Sequence, residues 1–149
     1  MEKNMMEDCI FCKIVKGDIP SIKIWEDEKH LAILDINPNT EGMTLVITKD
    51  HFRSDITDVP KKEYSELMVA SQDVARMLKE RLPAKRVALV AEGLGVDHVH
   101  IKLYPIYESN EKEGYITTKL GPQKSPEELN KVAEKLRLTS SQASSSPTQ

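Results

Sequence analysis

Alternating polar and apolar positions between residues 98 and 105 form the clearest pattern in the chain. The segment has the sequence HVHIKLYP, with His98, His100 and Lys102 at every second position. Strict alternation predicts a half-buried strand in which these three side chains share one face, about 7 Å apart, while the aliphatic residues between them point into a core. The pattern therefore predicts two imidazoles and one ammonium on the same face of a sheet.

Four other short segments have the β-branched and apolar composition of strands. They are residues 22–26, 30–34, 43–48 and 86–90. The first two flank Asp27-Glu28-Lys29, which is typical of a hairpin connection, so we expect them to pair antiparallel. The short apolar run at residues 10–15 fits either a helical turn or a short strand.

Two helices are predicted from spacing and capping signals. Between residues 60 and 82 apolar side chains recur at offsets of three, four and seven, which indicates one buried helix face, with Asp58 as cap and Pro83 as stop. Ser125-Pro126-Glu127-Glu128 is a capping box with proline at the first helical position, so a second helix should run to about Leu138.

The helix and strand pattern predicts one folded domain at residues 9–138. Polar residues 1–8 are expected to be flexible, and the Ser-rich residues 139–149 are expected to be disordered. A chain of 149 residues with 39% hydrophobic and 30% charged residues has the composition of an ordinary globular domain.

Net charge and hydropathy indicate which classes of binding partner and which location to expect. The net charge of −3 offers no general attraction for nucleic acid, so a small-molecule partner is favoured. The chain has no apolar run of about 18 residues, and its first residues are too polar for a secretion signal, so we expect a cytoplasmic protein that does not enter a membrane.

Two groups of residues suggest specific chemistry. The loop Glu92-Gly93-Leu94-Gly95-Val96-Asp97 precedes the histidines, and its glycines allow backbone to approach a ligand, which favours an anion-binding site beside them. Cys9 and Cys12 have the spacing of a metal half-site or a redox pair, and the absence of an evident βαβ unit makes the redox role weaker.

With these residues identified, the chain resembles the histidine triad (HIT) superfamily of nucleotide hydrolases and transferases. The resemblance rests on blocks that occur in order over residues 9–107: CIFCKI at 9–14, GDIP at 17–20, LAILDI at 31–36, GMTLVI at 42–47, KDH at 49–51 and HVH at 98–100. It implies an α+β fold with a five-stranded antiparallel sheet, one long helix and a C-terminal helix, and it implies a homodimer.

The resemblance also implies a reaction. His100 would attack the α-phosphate of a nucleotide and form a covalent nucleotidyl-histidine that water then hydrolyses. The substrates implied are dinucleoside polyphosphates or nucleoside phosphoramidates. Lys102 stands where the family has a third histidine; it would stabilise phosphate charge and lower the pKa of His100, but it is a poor proton shuttle at neutral pH.

Binding of the nucleoside would, by the same resemblance, use an apolar slot and one carboxylate. The slot would comprise Ile10, Phe11, Ile14, Ile33 and Ile36. Asp35 would accept hydrogen bonds from the ribose, and the backbone of the loop at Gly95 would bind phosphate because the family's polar side chains are missing there. From the residues alone, the isoleucines would be ordinary core and Asp35 a turn residue.

The resemblance also implies a zinc site, because some family members bind zinc. Carried over by position, the ligands would be Cys9, Cys12, His51 and His98, a tetrahedral set typical of structural zinc, with His98 a ligand rather than a catalyst. The main hypothesis is thus a nucleotide hydrolase or nucleotidyl transferase. The alternatives are a catalytically weak nucleotide-binding regulatory protein and a zinc-stabilised interaction module.

Overall fold

The computed structural model describes residues 7–111 and 116–144. Its strands are β1 (Lys23–Glu26), β2 (His30–Leu34), β3 (Thr44–Thr48), β4 (Arg86–Val90) and β5 (His100–Ile106). Its helices are α1 (Ile10–Lys16), α2 (Lys61–Arg81), α3 (Glu108–Glu111) and α4 (Pro126–Ser144). All neighbouring strands pair antiparallel in the order β1-β2-β3-β5-β4, so the predicted α+β fold is confirmed.

Each face of the sheet carries its own apolar cluster. On one face α2 and α4 cover the sheet, with Leu67, Leu78 and Leu136 fully buried. On the opposite face α1 packs Phe11 and Cys12 onto a smaller cluster from β2 and β3. Because side chains alternate along a strand, the residues of β5 divide between these two faces.

Helix α1 resolves the ambiguity of the apolar run at residues 10–15 in favour of a helix. Cys9 is its N-cap, with Sγ accepting from the backbone N–H of Cys12 at 3.4 Å. Gly17 ends it in the left-handed region, at φ 87°, and donates to the Ile14 carbonyl. The capping interaction therefore places both cysteines at the first turn of the helix.

Three predicted boundaries are wrong. Strand β5 begins at His100 because His98 donates its N–H to Val96 within the preceding loop at 2.9 Å. Helix α2 is preceded by Pro60, without a side-chain cap, and Asp58 belongs to a 3-10 turn. Helix α4 is capped by Ser125 as predicted, but it continues past Leu138 to Ser144.

The expected flexible N-terminus lies largely outside the described residues, as do residues 145–149 of the expected disordered tail. The domain limits therefore stay a prediction. Within the part of the chain that is described, no helix combines the length and apolar composition required to cross a bilayer.

Candidate active site and metal centre

The first cluster of the site joins the start of α1 to the loops before β5 and after β3. Its members are Cys9, Cys12, His51 and His98, whose potential ligand atoms all lie within 4.8 Å of one another. His98 Nδ1 lies 3.3 Å from Cys9 Sγ and 3.2 Å from His51 Nδ1. Cys12 Sγ lies 3.3 Å from His51 Nδ1. The structure thus brings together the four residues named as metal ligands.

These spacings fit a tetrahedral metal. Bonds of about 2.0–2.1 Å to nitrogen and about 2.3 Å to sulfur give edges of about 3.4 Å between nitrogens and about 3.6 Å between nitrogen and sulfur. The distances to Nδ1 of His98 and His51 are within a few tenths of an ångström of these edges. Two thiols and two imidazoles are also the donor set that zinc prefers.

The imidazole of His98 is held in the orientation that a ligand needs. Its Nε2 lies 2.7 Å from the Thr48 carbonyl, which can only accept, so Nε2 carries the proton and Nδ1 is left with a lone pair. Burial is the main reason that the pKa of His98 falls to about 4, so the ring is neutral. Burial, with the neighbouring Cys9 thiol, raises the pKa of Cys12 to about 11; a bound metal would favour the thiolate instead.

The second cluster lies on the same side of the sheet, along β5. His100 pairs with Ile47 and Lys102 with Leu45, so these side chains share the face that α1 covers. His100 is 3% exposed, and its ring packs edge-on against Phe11 at 5.1 Å between centroids. Placement on a central strand between two others gives His100 a fixed position.

The tautomer of His100 follows from its hydrogen bond. Nδ1 lies 2.7 Å from the His98 carbonyl and must donate to it, which leaves Nε2 with a lone pair. The pKa of His100 lies below its ordinary value of 6.5, mainly because of burial and further because of the charge on Lys102. The sequence-based expectation that Lys102 lowers this pKa is confirmed in direction.

Lys102 has a partner that the sequence interpretation did not assign. Its Nζ lies 2.6 Å from Glu92 Oε1, and both side chains are mostly buried, at 12% and 22% exposure. Glu92 ends the segment after β4 and begins the glycine loop. A mostly buried lysine needs a carboxylate partner, but the sequence alone does not show which of several acidic residues provides it.

The glycine loop is held by Ser54. Ser54 Oγ donates to the Gly93 carbonyl at 2.6 Å, and the Ser54 N–H donates to Asp97 Oδ1 at 3.0 Å. Gly93 has φ +65°, and a Cβ there would lie 2.6 Å from the Ser54 carbonyl oxygen. A Cβ on Gly95 would meet no atom within 4 Å, so this side of the Gly95 backbone is open.

The residues expected to contact a nucleoside differ in exposure. Phe11 and Ile33 are buried and Ile14 is partly buried, all in the cluster under α1. Ile10 and Ile36 are exposed, at 43% and 52%. The structure therefore supports core packing for the first group and leaves two apolar side chains free to contact a ligand.

Asp35 follows β2 and is 8% exposed. Its Oδ1 accepts from the Asn37 N–H at 2.7 Å, so the carboxylate does form a turn. A carboxylate has a second oxygen, and Oδ2 retains the capacity to accept from a ligand hydroxyl.

One further polar residue on this face escaped the sequence interpretation. Tyr104 continues the alternation of His100 and Lys102, but it is 1% exposed, and its hydroxyl has no hydrogen-bond partner within the described structure. Burial, with the charges of Glu92 and Asp35, raises its pKa to about 12. The polar face of β5 thus extends one residue beyond the predicted set.

Comparison with known proteins gives a consistent result. The HIT domain family model matches residues 16–108. Protein hit of Bacillus subtilis is 35% identical over 144 residues, which cover 91% of this chain and 97% of the relative. Adenosine 5′-monophosphoramidase of Saccharomyces cerevisiae is 37% identical over 111 residues, which cover 72% of this chain and 67% of the relative.

A solved structure extends the likeness to the fold. A zinc-bound histidine triad family protein from Mycobacterium smegmatis superimposes with a TM-score of 0.74 at 34% identity, covering 94% of this chain and 98% of that one. The family model spans more than half of the chain and includes the α1 end, β1–β5 and α2. The chain therefore belongs to the HIT domain family.

Proposed function

We propose that the protein is a nucleotide hydrolase that forms a covalent nucleotidyl intermediate on His100. The observation that carries the proposal is the hydrogen bond from His100 Nδ1 to the His98 carbonyl at 2.7 Å. It fixes the tautomer with a free Nε2 lone pair on a rigid strand, as nucleophilic catalysis by imidazole requires.

The reaction takes place in two displacements. Nε2 forms a bond to the α-phosphorus, the bond from phosphorus to the leaving group breaks, and the leaving group takes a proton from solvent. Water then attacks the phosphorus and releases a proton to solvent, the nitrogen–phosphorus bond breaks, and a nucleoside monophosphate and free imidazole result. Lys102 stabilises negative charge on the phosphate, and Asp35 binds the ribose.

The substrate class is a nucleoside phosphoramidate, with dinucleoside polyphosphates as the second choice. The name of the yeast relative, an adenosine 5′-monophosphoramidase, supports the first class and an adenine base. The exposed Ile10 and Ile36 provide apolar contacts for a base, and the backbone of Gly95 is open to phosphate.

The test is intact mass spectrometry after brief mixing with adenosine 5′-phosphoramidate. We expect a transient adenylyl adduct and release of adenosine monophosphate, both lost in His100→Ala. His30→Gln is the control, since His30 lies at the start of β2 with Nδ1 3.0 Å from Asp27, outside the two clusters described above. Adduct formation that persists in His100→Ala would disprove the nucleophile.

A second candidate function is a nucleotide-binding protein with little turnover. The 2.6 Å contact between Lys102 and Glu92 favours it, because a lysine committed to a carboxylate is less available for phosphate. This candidate predicts that nucleotides raise the melting temperature while neither adduct nor product forms.

We also propose that Cys9, Cys12, His51 and His98 hold a structural zinc ion. The spacing of their donor atoms and the hydrogen bond from His98 to Thr48 support this, as does the zinc-bound relative. A bound ion would link α1 to the loops before β5 and after β3. Zinc content measured by mass spectrometry should approach one ion per chain and fall in Cys12→Ser, and a full ion retained in that variant would contradict the assignment.

The expected homodimer is a proposal as well. Strand β4 forms an edge of the sheet, and Leu89 on it is 40% exposed, which is a suitable surface for a second copy. Sedimentation equilibrium should give twice the chain mass.

A further inference from the structure

The segment from residue 116 to residue 125, here called the strap, crosses the loop that follows Asp35. Within the described part of the chain it has no helix or strand of its own, yet it is tied at several points to residues 36–39. Gly121 donates its N–H to the Asn37 carbonyl at 3.1 Å, and Lys124 donates to the Ile36 carbonyl at 2.8 Å. These are main-chain hydrogen bonds, so the contact is specified by backbone position.

A side chain adds two more hydrogen bonds. Asn39 Nδ2 donates to the Thr117 carbonyl at 2.7 Å and to the Lys119 carbonyl at 2.9 Å. An amide nitrogen carries two protons, so Asn39 uses its full donor capacity on the strap. Both hydrogen bonds are exposed, so Asn39 could bond to water instead. Because both of its amide protons go to the strap, the strap and the loop form one unit.

The fit is close at one glycine. A Cβ on Gly121 would overlap the Pro38 carbonyl oxygen, a backbone atom that cannot turn away. A glycine is therefore needed for the strap to lie this close to the loop.

The contact continues directly to Asp35. Asn37 accepts from Gly121 through its carbonyl and donates its N–H to Asp35 Oδ1 at 2.7 Å. One residue thus joins the strap to the carboxylate. At the far end the strap leads into α4, whose Leu129, Ala133 and Leu136 are anchored in the apolar cluster beside α2.

We propose that the strap positions Asp35 for the ribose of a bound nucleotide, with Asn39 and Gly121 as the positioning residues. The inference rests on the proposed function, in which Asp35 binds the ribose. The reacting phosphate lies at His100 on β5, and the hydrogen bonds of the strap to residues 36–39 do not involve that strand. Loosening the strap should therefore weaken nucleoside binding without slowing the chemical step.

The experiment compares Asn39→Ala with Thr40→Val. Thr40 is the next residue of the same loop, but its Oγ1 donates to the Pro105 carbonyl on β5 at 3.0 Å rather than to the strap. We expect Asn39→Ala to raise KM for adenosine 5′-phosphoramidate about three- to tenfold, the value of about one net hydrogen bond, with kcat within about twofold of the wild type. Thr40→Val should leave KM unchanged. Gly121→Ala should behave like Asn39→Ala.

A double-mutant cycle distinguishes an effect through the position of Asp35 from a general loss of structure. Calorimetry with adenosine monophosphate would measure the affinities of Asn39→Ala, Asp35→Ala and the double variant. We expect the effect of Asn39→Ala to disappear once Asp35 is absent. An undiminished effect in the Asp35→Ala background, or an equal rise in KM for Thr40→Val, would overturn the inference. A wild-type protein that neither binds nor cleaves the nucleotide would instead refute the proposed function.

Discussion

Replacing Gly93 by alanine tests whether the glycine loop is fixed by backbone conformation. At φ +65° an L-residue costs about 1–2 kcal/mol relative to the right-handed region. The new Cβ would also lie 2.6 Å from the Ser54 carbonyl oxygen, which forces the loop away from Ser54. Separation would break the 2.6 Å hydrogen bond from Ser54 Oγ to the Gly93 carbonyl, worth about 1 kcal/mol.

The expected loss of unfolding free energy is therefore about 2–3 kcal/mol. For a chain of this size each kcal/mol lowers the melting temperature by about 2–4 °C, so Gly93→Ala should melt about 4–12 °C below the wild type. Gly95→Ala is the matched control, because a Cβ there meets no atom within 4 Å and should change the melting temperature little.

Differential scanning calorimetry and urea unfolding of both variants, loaded equally with zinc, measure the effect. A Gly93→Ala melting temperature equal to that of the wild type, or an equal fall in melting temperature for Gly95→Ala, would refute the strain described for the loop. Turnover supplies a second measurement: we expect Gly93→Ala to lose activity because the loop that we propose binds the phosphate would shift.

Three other perturbations have definite expected outcomes. Glu92→Gln leaves the mostly buried Lys102 without its carboxylate, so the melting temperature should fall. KM for the nucleotide should decrease, because the freed ammonium can bind phosphate. An unchanged KM would show that the ion pair does not compete with substrate. Leu67→Ala removes a fully buried side chain and should cost about 2–5 kcal/mol in urea unfolding, and a loss below 1 kcal/mol would contradict the packing described for α2. Hydrogen bonds and charges from two lysines lower the pKa of Glu26 from 4.5 to about 2, so its contribution to the free energy of unfolding is present above pH 4.5 and is lost as the pH falls towards 2. Because the carboxylate is 39% exposed, Glu26→Gln should lower the free energy of unfolding by less than about 1 kcal/mol. The difference from the wild type should be larger at pH 7 than at pH 2.

Short-range pattern was enough to predict most of the fold. Alternation, hairpin composition and helical spacing depend on residues within a few positions of each other, and they located five strands, the long helix and the start of α4. One of the errors in the predicted boundaries arises because a residue with suitable capping chemistry lies in a different local turn. Asp58 has the chemistry of a cap, but the 3-10 turn in which it lies ends before the helix, and Pro60 occupies the capping position.

The candidate metal ligands and the candidate nucleophile came from the resemblance of ordered motifs to the HIT superfamily, which the sequence alone can show. Tertiary structure decided which of them meet. Cys9 and His98 are 89 residues apart in sequence and 3.3 Å apart in space. The hydrogen bonds from the strap to the Asp35 loop likewise join distant segments. Lys102 meets Glu92, ten residues before it, because β4 pairs antiparallel with β5. Pattern within a short window does not predict such contacts. They arise only when the antiparallel sheet fixes the register of β5 against β3 and β4, and when residues 116–125 lie across the loop after β2.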